Sequence, residues 1–132
     1  MMRRSVSVGL ALCLGTSLAA CAALEGTSNR YVVFYQPWSA QLDNSAKGVV
    51  DIAAGFALRH PNLPVTVSGY ADPDGSRQAN MDISRTRARV VSDELVAMGV
   101  APSRIQRVAN GGTDFDDSLQ ASRRVEIDVG NP

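Results

Sequence analysis

The sequence predicts a small α/β sandwich with the element order β-α-β-α-β-β, in which a small mixed sheet is covered on one face by two helices. Three observations predict it: short β-branched and aromatic runs, two segments with helical apolar spacing, and an alternating strand near the C-terminus. Because helices connect strands as crossovers, we expect both helices on one face of the sheet. With 132 residues, 45% of them apolar, the chain can form one core, in a domain predicted over residues 31–130.

The first half of this domain is predicted as a strand, a helix and a second strand. YVVFY, residues 31–35, is β-branched and aromatic and predicts a strand. From Leu42 to Phe56 apolar residues recur at spacings of four, three, four and three, which predicts an amphipathic helix ending before Pro61. VTVSGY, residues 65–70, predicts the second strand, and the turn ADPDGS follows it.

The second half repeats the helix and adds two strands. A second apolar stripe runs from Ser84 to Met98 at helical spacing, and Gly99 is placed to end that helix. Residues 103–109 predict a third strand, and residues 123–129 alternate apolar with charged side chains, as a half-buried fourth strand would. The segment NGGTDFDDSLQAS between these two strands predicts a surface loop.

The N-terminus has the features of an export signal. Arg3 and Arg4 precede an apolar run of secretory length, and the following Leu-Ala-Ala-Cys resembles the lipobox of bacterial lipoproteins. Residues 1–20 would then be a lipoprotein signal peptide, and Cys21 the lipidated first residue of a short tether over residues 21–30. A plain signal peptide cut nearby is the alternative. The nine residues after Cys21 reach at most about 30 Å, which keeps the domain close to its membrane.

Composition and charge argue against several classes of function. Loss of the leader would leave 11 basic against 13 acidic side chains, a net charge of −2, so we expect no nucleic-acid partner. An enzyme would need a nucleophile with a base, or clustered metal ligands, but the mature chain offers one histidine, His60, and no free thiol. We therefore expect no enzymatic activity, no cofactor and no metal.

A few isolated residues could suggest other sites. His60 is interpreted as a surface cap at a helix end, and Trp38 as core or loop packing rather than a platform for a sugar. DPDG lacks the further ligands of a calcium loop. The acidic cluster of Asp114, Asp116 and Asp117 is interpreted as a solvated loop.

Two charged residues remain that helix geometry sets apart. At about 100° per residue, Arg87 lies roughly 60° from the centre of the apolar stripe, Arg85 about 100° and Arg89 about 140°, so Arg87 alone flanks the buried face. Its partly desolvated guanidinium favours a fixed partner with matching oxygens, which Asp72, at the end of the preceding strand, could supply. The two residues either form an ion pair that ties turn to helix, or together face a ligand bearing both an ammonium and a carboxylate.

Several motifs resemble the OmpA-like peptidoglycan-binding domain family over about residues 30–129. The family's Gly-His-Thr-Asp corresponds to residues 69–72, and its Asn-x-x-Leu-Ser-x-x-Arg-Ala to residues 80–88. Its Asn-Arg-Arg-Val-Glu corresponds to residues 122–126. The family's histidine and threonine are replaced by tyrosine and alanine, the asparagine of the last motif by serine, and its Gly-x-Gly-Glu after the third strand is missing.

The resemblance implies both a ligand and a location. Asp72 would bind the ammonium and Arg87 the carboxylate of diaminopimelate in cell-wall stem peptides, with Asn80 beside that ligand. The protein would be an outer-membrane lipoprotein, facing the periplasm, that binds peptidoglycan non-covalently and tethers the membrane to the wall. Its expected partners are peptidoglycan, the outer membrane through the lipid on Cys21, and Tol-system or other envelope proteins. The alternative is a periplasmic protein-interaction module of Tol–Pal type with reduced or lost peptidoglycan binding.

Overall fold

The elements of the fold follow the predicted order, with one short helix added before the last strand. The computed structural model describes residues 29–113 and 119–130. Its elements are β1 (Asn29–Phe34), α1 (Asn44–Arg59), β2 (Val65–Ala71), α2 (Arg77–Ala97), a 3-10 turn (Pro102–Arg104), β3 (Ile105–Gly112), α3 (Leu119–Ser122) and β4 (Arg124–Val129). The signal peptide, Cys21 and residues 22–28 of the tether lie outside the described residues.

The four strands form one mixed sheet with the spatial order β1-β4-β2-β3. β4 pairs antiparallel with β1, Tyr31 opposite Ile127, and with β2, Val67 opposite Ile127, whereas β3 pairs parallel with β2, Val65 opposite Ile105. The predicted mixed α/β sheet is therefore confirmed. Since β2 and β3 run in parallel and β4 runs against them, the C-terminal ends of β2 and β3 lie at the same edge as the start of β4.

Capping residues set the helix boundaries. Asp43 caps α1 by accepting a hydrogen bond from the Ala46 amide at 2.7 Å, and Ser76 caps α2 by accepting one from the Ala79 amide at 3.0 Å. Gly99, with φ of 107°, follows α2 in the left-handed conformation that glycine adopts readily, as the sequence predicts. α2 therefore begins in the turn that follows β2, which places its first residues beside Asp72.

The core lies between the helices and one face of the sheet. Its fully buried side chains include Val33, Val50, Val65, Val67, Val91, Leu95, Val125, Ile127 and Val129. The predicted stripe of α2 is correct from Ser84 to Leu95, all of whose members are buried. In α1 the predicted stripe is partly correct: Ala46 and Ala53 are buried, but Val49 and Phe56 are only partly buried. The buried face is shifted toward Val50, Ala54 and Ala57. The alanines allow α1 to approach the sheet closely, which spacing of large side chains could not predict.

Some predicted boundaries were wrong. Asn29 and Arg30 belong to β1 rather than to the tether, and Arg30 donates from Nε to Asp128 Oδ1 at 2.8 Å. β3 continues through Gly112, past a register shift in its pairing with β2. Gly111, with a positive φ of 69°, has the conformation that glycine adopts readily at such an irregularity. α3 also lies inside the predicted surface loop. In the described part of the chain, no helix is long and apolar enough to cross a membrane.

Candidate ligand-binding site at the sheet edge

The sheet topology gathers residues from four strands at one edge. Asp72 follows β2 and Thr113 follows β3, while Arg123 precedes β4 and Tyr35 follows β1. Backbone hydrogen bonds hold this edge together: the Thr113 amide donates to Ala71 O at 3.2 Å, and the Tyr35 amide donates to Arg123 O at 2.9 Å. Residues that are far apart in sequence therefore surround Asp72.

Asp72 forms an ion pair with a residue that spacing did not single out. Its Oδ1 lies 3.5 Å from Nη1 of Arg123, and the two side chains are 17% and 14% exposed. This separation is not a hydrogen bond: Asp72 Oδ1 is buried without a hydrogen-bond partner among the described residues. Arg123 is itself fixed, because its Nε donates to Tyr35 O at 3.2 Å. Asp72 Oδ1 is thus ion-paired with Arg123 but accepts no hydrogen bond from the described residues.

Asn80 supplies a second unused acceptor. The residue is 3% exposed, its Nδ2 donates to Asp74 O at 3.1 Å, and its Oδ1 is buried without a partner in the described chain. Gly112 makes this arrangement possible, since a Cβ there would lie 2.7 Å from Asp72 O and 3.1 Å from Asn80 Nδ2. Asn80, which the family resemblance predicts to lie beside the ligand, is therefore a buried polar residue next to the turn that contains Asp72.

Arg87 is buried far more deeply than its helix angle predicted. It is 1% exposed, and its guanidinium donates to three backbone carbonyls: Nε to Ser39 O at 2.8 Å, Nη1 to Tyr70 O at 2.9 Å and Nη2 to Gln36 O at 3.2 Å. Its Cζ also lies 5.0 Å from the centre of the Tyr35 ring. The expectation that Arg87 only flanks the buried face is wrong, because the loop after β1 folds over it.

The electrostatic environment of Arg87 follows from this burial. Desolvation is the main cause that lowers the pKa of Arg87 from its ordinary value; the charges of Tyr35 and Asp72 oppose this shift, and that of Arg123 adds to it. A guanidinium has five N–H donors, so three hydrogen bonds leave up to two for another acceptor. Arg87 therefore combines a rigidly held charge with spare donor capacity.

The structure rejects the simple pairing of Asp72 with Arg87. Within the described residues no ion pair joins the two side chains, although the charge of Asp72 still raises the pKa of Arg87. The ion pair of Asp72 ties the turn to β4 through Arg123, and Arg87 instead ties α2 to the loop after β1. The pairing interpretation failed because it considered only residues close in sequence.

A cleft opens beside these residues. It has a volume of about 290 Å³ and is lined by Pro73, Gly75, Arg77, Asn80 and Gly112. Arg77 is exposed at this cleft, so an accessible cation stands near the buried acceptors. A larger cleft of about 430 Å³ lies between α2 and β3, but no buried polar atom without a partner, among the residues described, belongs to its lining.

The sequence missed three residues of this site. Arg123 stood in the last family motif and could have been found there, whereas neither spacing nor charge pattern singles out Arg77 or Thr113. Thr113 matters because its Oγ1 is buried and has no hydrogen-bond partner within the described segments. With Asp72 and Asn80 it forms what we call the acceptor cluster: Asp72 Oδ1, Asn80 Oδ1 and Thr113 Oγ1.

The remaining single-residue interpretations have mixed outcomes. His60 is the C-cap of α1, as expected, and its ring lies 4.1 Å from that of Phe56. Trp38 is 59% exposed and so does not pack in the core; of the two packing roles expected for it, the structure shows the loop one, with the edge of the indole next to Gly75. The acidic cluster at residues 114–117 lies outside the described residues. Over residues 29–113 and 119–130, no group of three or more metal-ligating side chains comes together.

Comparison with known proteins identifies the family. The profile of the OmpA family matches residues 34–126, well over half of the chain. The chain belongs to the OmpA family. Asp72, Asn80 and Arg87 all lie inside the matched range, whereas Cys21 lies outside it.

Two curated relatives share part of this sequence. The chain is 29% identical over 103 residues to a peptidoglycan-associated lipoprotein of Rhizobium meliloti, which covers 74% of this chain and 58% of that protein. It is 39% identical over 75 residues to the peptidoglycan-binding protein ArfA of Mycobacterium bovis, which covers 52% of this chain and 23% of that protein. The chain thus spans less than two thirds of the length of each relative.

Two solved structures share the fold. The peptidoglycan-associated lipoprotein of Burkholderia pseudomallei superposes with a TM-score of 0.69 at 19% identity, covering 75% of this chain and 89% of that one. The periplasmic domain of Helicobacter pylori MotB superposes with a TM-score of 0.66 at 19% identity, covering 79% and 81%. At these identities the similarity establishes the fold alone.

Proposed function

We propose that this protein binds peptidoglycan non-covalently through the diaminopimelate of its stem peptides. The acceptor cluster carries the proposal. Burying an oxygen without a hydrogen bond costs about 1–3 kcal/mol, so three such atoms at one sheet edge favour a ligand that supplies donors. An ammonium offers three N–H donors and a positive charge, which suits the carboxylate of Asp72 together with Asn80 and Thr113.

The carboxylate of the same amino-acid centre is assigned to Arg87. Its guanidinium is fixed by three carbonyls before any ligand arrives and is 1% exposed, so a ligand carboxylate accepts from its remaining N–H groups only when the covering loop after β1 moves aside. Arg77, exposed at the cleft, adds a second cation for the other carboxylates of a stem peptide. The site therefore offers one anion and several cations, as a ligand with one ammonium and more than one carboxylate requires.

The relatives support the same function. The R. meliloti relative is named a peptidoglycan-associated lipoprotein and the M. bovis relative a peptidoglycan-binding protein. We extend these names to a tethering role: Cys21, lipidated, anchors the chain in the outer membrane on its periplasmic side while the domain holds the wall. The binding of a structural polymer needs no catalytic group, so we propose that the protein is not an enzyme.

Sedimentation with purified sacculi tests wall binding. The chain from residue 22 onward should co-sediment, and free diaminopimelate should release it better than lysine, which has a single amino-acid centre. Asp72→Asn keeps the shape of the side chain but removes its charge, and should abolish most of the sedimentation; Asp93→Asn, an exposed position on α2, is the matched control. A folded wild type that never sediments would leave the protein-interaction module of Tol–Pal type as the better function.

Lipidation is tested separately. Several acyl chains, at about 0.8 kcal/mol per buried methylene, anchor a protein almost permanently, so Cys21→Ala should release the protein from membranes. Metabolic labelling with palmitate should mark the wild type and not the variant. An unlabelled wild type, or one that fractionates with the inner membrane only, would contradict the anchor or its location.

A further inference from the structure

Trp38 is a large apolar side chain that is exposed and has a left-handed backbone conformation. It is the single tryptophan of the sequence, is 59% exposed, and lies in the loop between β1 and α1. Its φ is 53°, and among the described residues it is the one residue other than glycine with a positive φ. A bulky side chain in this left-handed conformation is strained, and such strain persists only where the surrounding structure enforces it.

Arg87 enforces the conformation of this loop. The carbonyls that accept from its Nε and Nη2 belong to Ser39 and Gln36, which flank Trp38 in the chain. The loop is closed further by the Ser39 amide, which donates to Gln36 O at 3.2 Å. The buried cation thus holds the backbone on both sides of Trp38, and the indole projects from a fixed position rather than from a mobile loop.

The indole stands beside the acceptor cluster. A Cβ on Gly75 would lie 3.1 Å from Cη2 and 3.5 Å from Cζ2 of Trp38, and 3.8 Å from Oδ1 of Asn80. Gly75 therefore separates the edge of the indole from the unpartnered oxygen of Asn80. Because Gly75 also lines the cleft, the indole lies one residue away from a ligand that occupies the cleft.

We propose that Trp38 forms a sugar subsite, on which a hexosamine ring of the glycan strand stacks when its stem peptide occupies the acceptor cluster. This inference rests on the function proposed above. A stem peptide is joined to its glycan, so a sugar lies within a few residues of any bound diaminopimelate. The C–H groups of one face of a pyranose carry small positive charges and pack on the negative face of an aromatic ring. Trp38 offers such a face beside Gly75, at the margin of the cleft.

The test compares one peptide with and without its sugars. The purified full chain is titrated with the diaminopimelate-containing tripeptide, and with the same tripeptide on its N-acetylglucosaminyl-N-acetylmuramyl disaccharide. We expect the disaccharide form to bind about 2- to 12-fold more tightly, as one aromatic contact would give. Since Trp38 is the single tryptophan, its fluorescence reports the contact directly: the disaccharide form should protect it from acrylamide quenching, and the bare tripeptide should not.

Variants separate the sugar contact from loop structure. Trp38→Ala should lose the preference for the disaccharide form and keep tripeptide binding, whereas Trp38→Tyr should keep the preference. Ile52→Ala, which truncates another exposed apolar residue, should change neither affinity. If Trp38→Ala weakens both ligands equally, the residue shapes the peptide site and the sugar subsite is wrong.

Two further outcomes would overturn the inference. Equal affinity of the wild type for both ligands, with unchanged quenching, would refute the sugar subsite and leave peptide binding intact. Failure of the wild type to bind either ligand would refute the proposed function and the subsite with it. Protection of Trp38 by phosphatidylglycerol vesicles, but not by the disaccharide form, would make the indole a membrane contact instead.

Discussion

Arg87→Lys tests the role of the buried guanidinium in the fold as well as in the site. The substitution keeps the charge but replaces a planar fork by a compact ammonium, which cannot reach the carbonyls of Gln36, Ser39 and Tyr70 together. A hydrogen bond from a charged donor contributes about 1.5–3 kcal/mol, so loss of one or two of the three should lower the free energy of unfolding by about 2–5 kcal/mol. The loop that carries Trp38 should loosen as well.

Urea denaturation followed by circular dichroism measures this loss, with Arg89→Lys, an exposed residue of the same helix, as control. The control should change the free energy of unfolding by under about 0.5 kcal/mol. Sacculus binding is then measured under conditions where both variants are folded, and only Arg87→Lys should bind poorly. An unfolding midpoint of Arg87→Lys equal to that of wild type would show that the three carbonyl bonds do not stabilise the protein.

Three other perturbations test different parts of the structure. Gly69→Ala should destabilise by about 1–3 kcal/mol or more, because a Cβ there would collide with the carbonyl of Ser84, and an unchanged melting temperature would contradict the packing of α2 on β2. Gly48→Ala, in open space on α1, should instead stabilise by about 0.5–1 kcal/mol, and any loss in the same melting assay would contradict that placement. Burial is the main cause that raises the pKa of both Tyr35 and Tyr70, so their stabilising contribution is complete below the ordinary value of 10.0 and is lost as the pH rises through the folded-state values. Tyr35→Phe should flatten this alkaline loss in urea midpoints measured from pH 8 to 11, and identical slopes for variant and wild type would show that burial of Tyr35 is not its cause.

Features of the fold that depend on local residue spacing can be predicted from the sequence. The stripe of α2 follows from a 3.6-residue repeat and is confirmed from Ser84 to Leu95, and the end of the helix at Gly99 follows from the ease with which glycine adopts a positive φ. The prediction of a half-buried β4 is only partly correct: its apolar residues are buried, but Arg124 and Asp128 on the other face are also only 8% exposed. Arg123 as partner of Asp72 could not be predicted in this way, because the contact requires β4 to lie next to β2 in the sheet. The order of strands in the sheet depends on packing over the whole chain, so it cannot be predicted from the spacing of residues along one helix.

The burial of Arg87 and the exposure of Trp38 have one physical origin. The helix angle of Arg87 does not include the loop between β1 and α1. That loop places carbonyls over the guanidinium, which buries Arg87, and the same hydrogen bonds fix Trp38 in an exposed, left-handed conformation. These long-range hydrogen bonds thus bury Arg87 more deeply than its helix angle predicts and hold Trp38 at the surface.

The most direct test of the proposed site is calorimetric titration of the diaminopimelate-containing tripeptide into folded wild type and folded Asp72→Asn. We predict binding to the wild type and an affinity at least about tenfold lower for the variant, since an ammonium loses a charged partner worth about 1.5–3 kcal/mol. Melting temperatures measured alongside ensure that both proteins are folded. Equal affinity of the two proteins for the tripeptide would contradict the assignment of Asp72, and with it the acceptor cluster as the site that holds the cell wall.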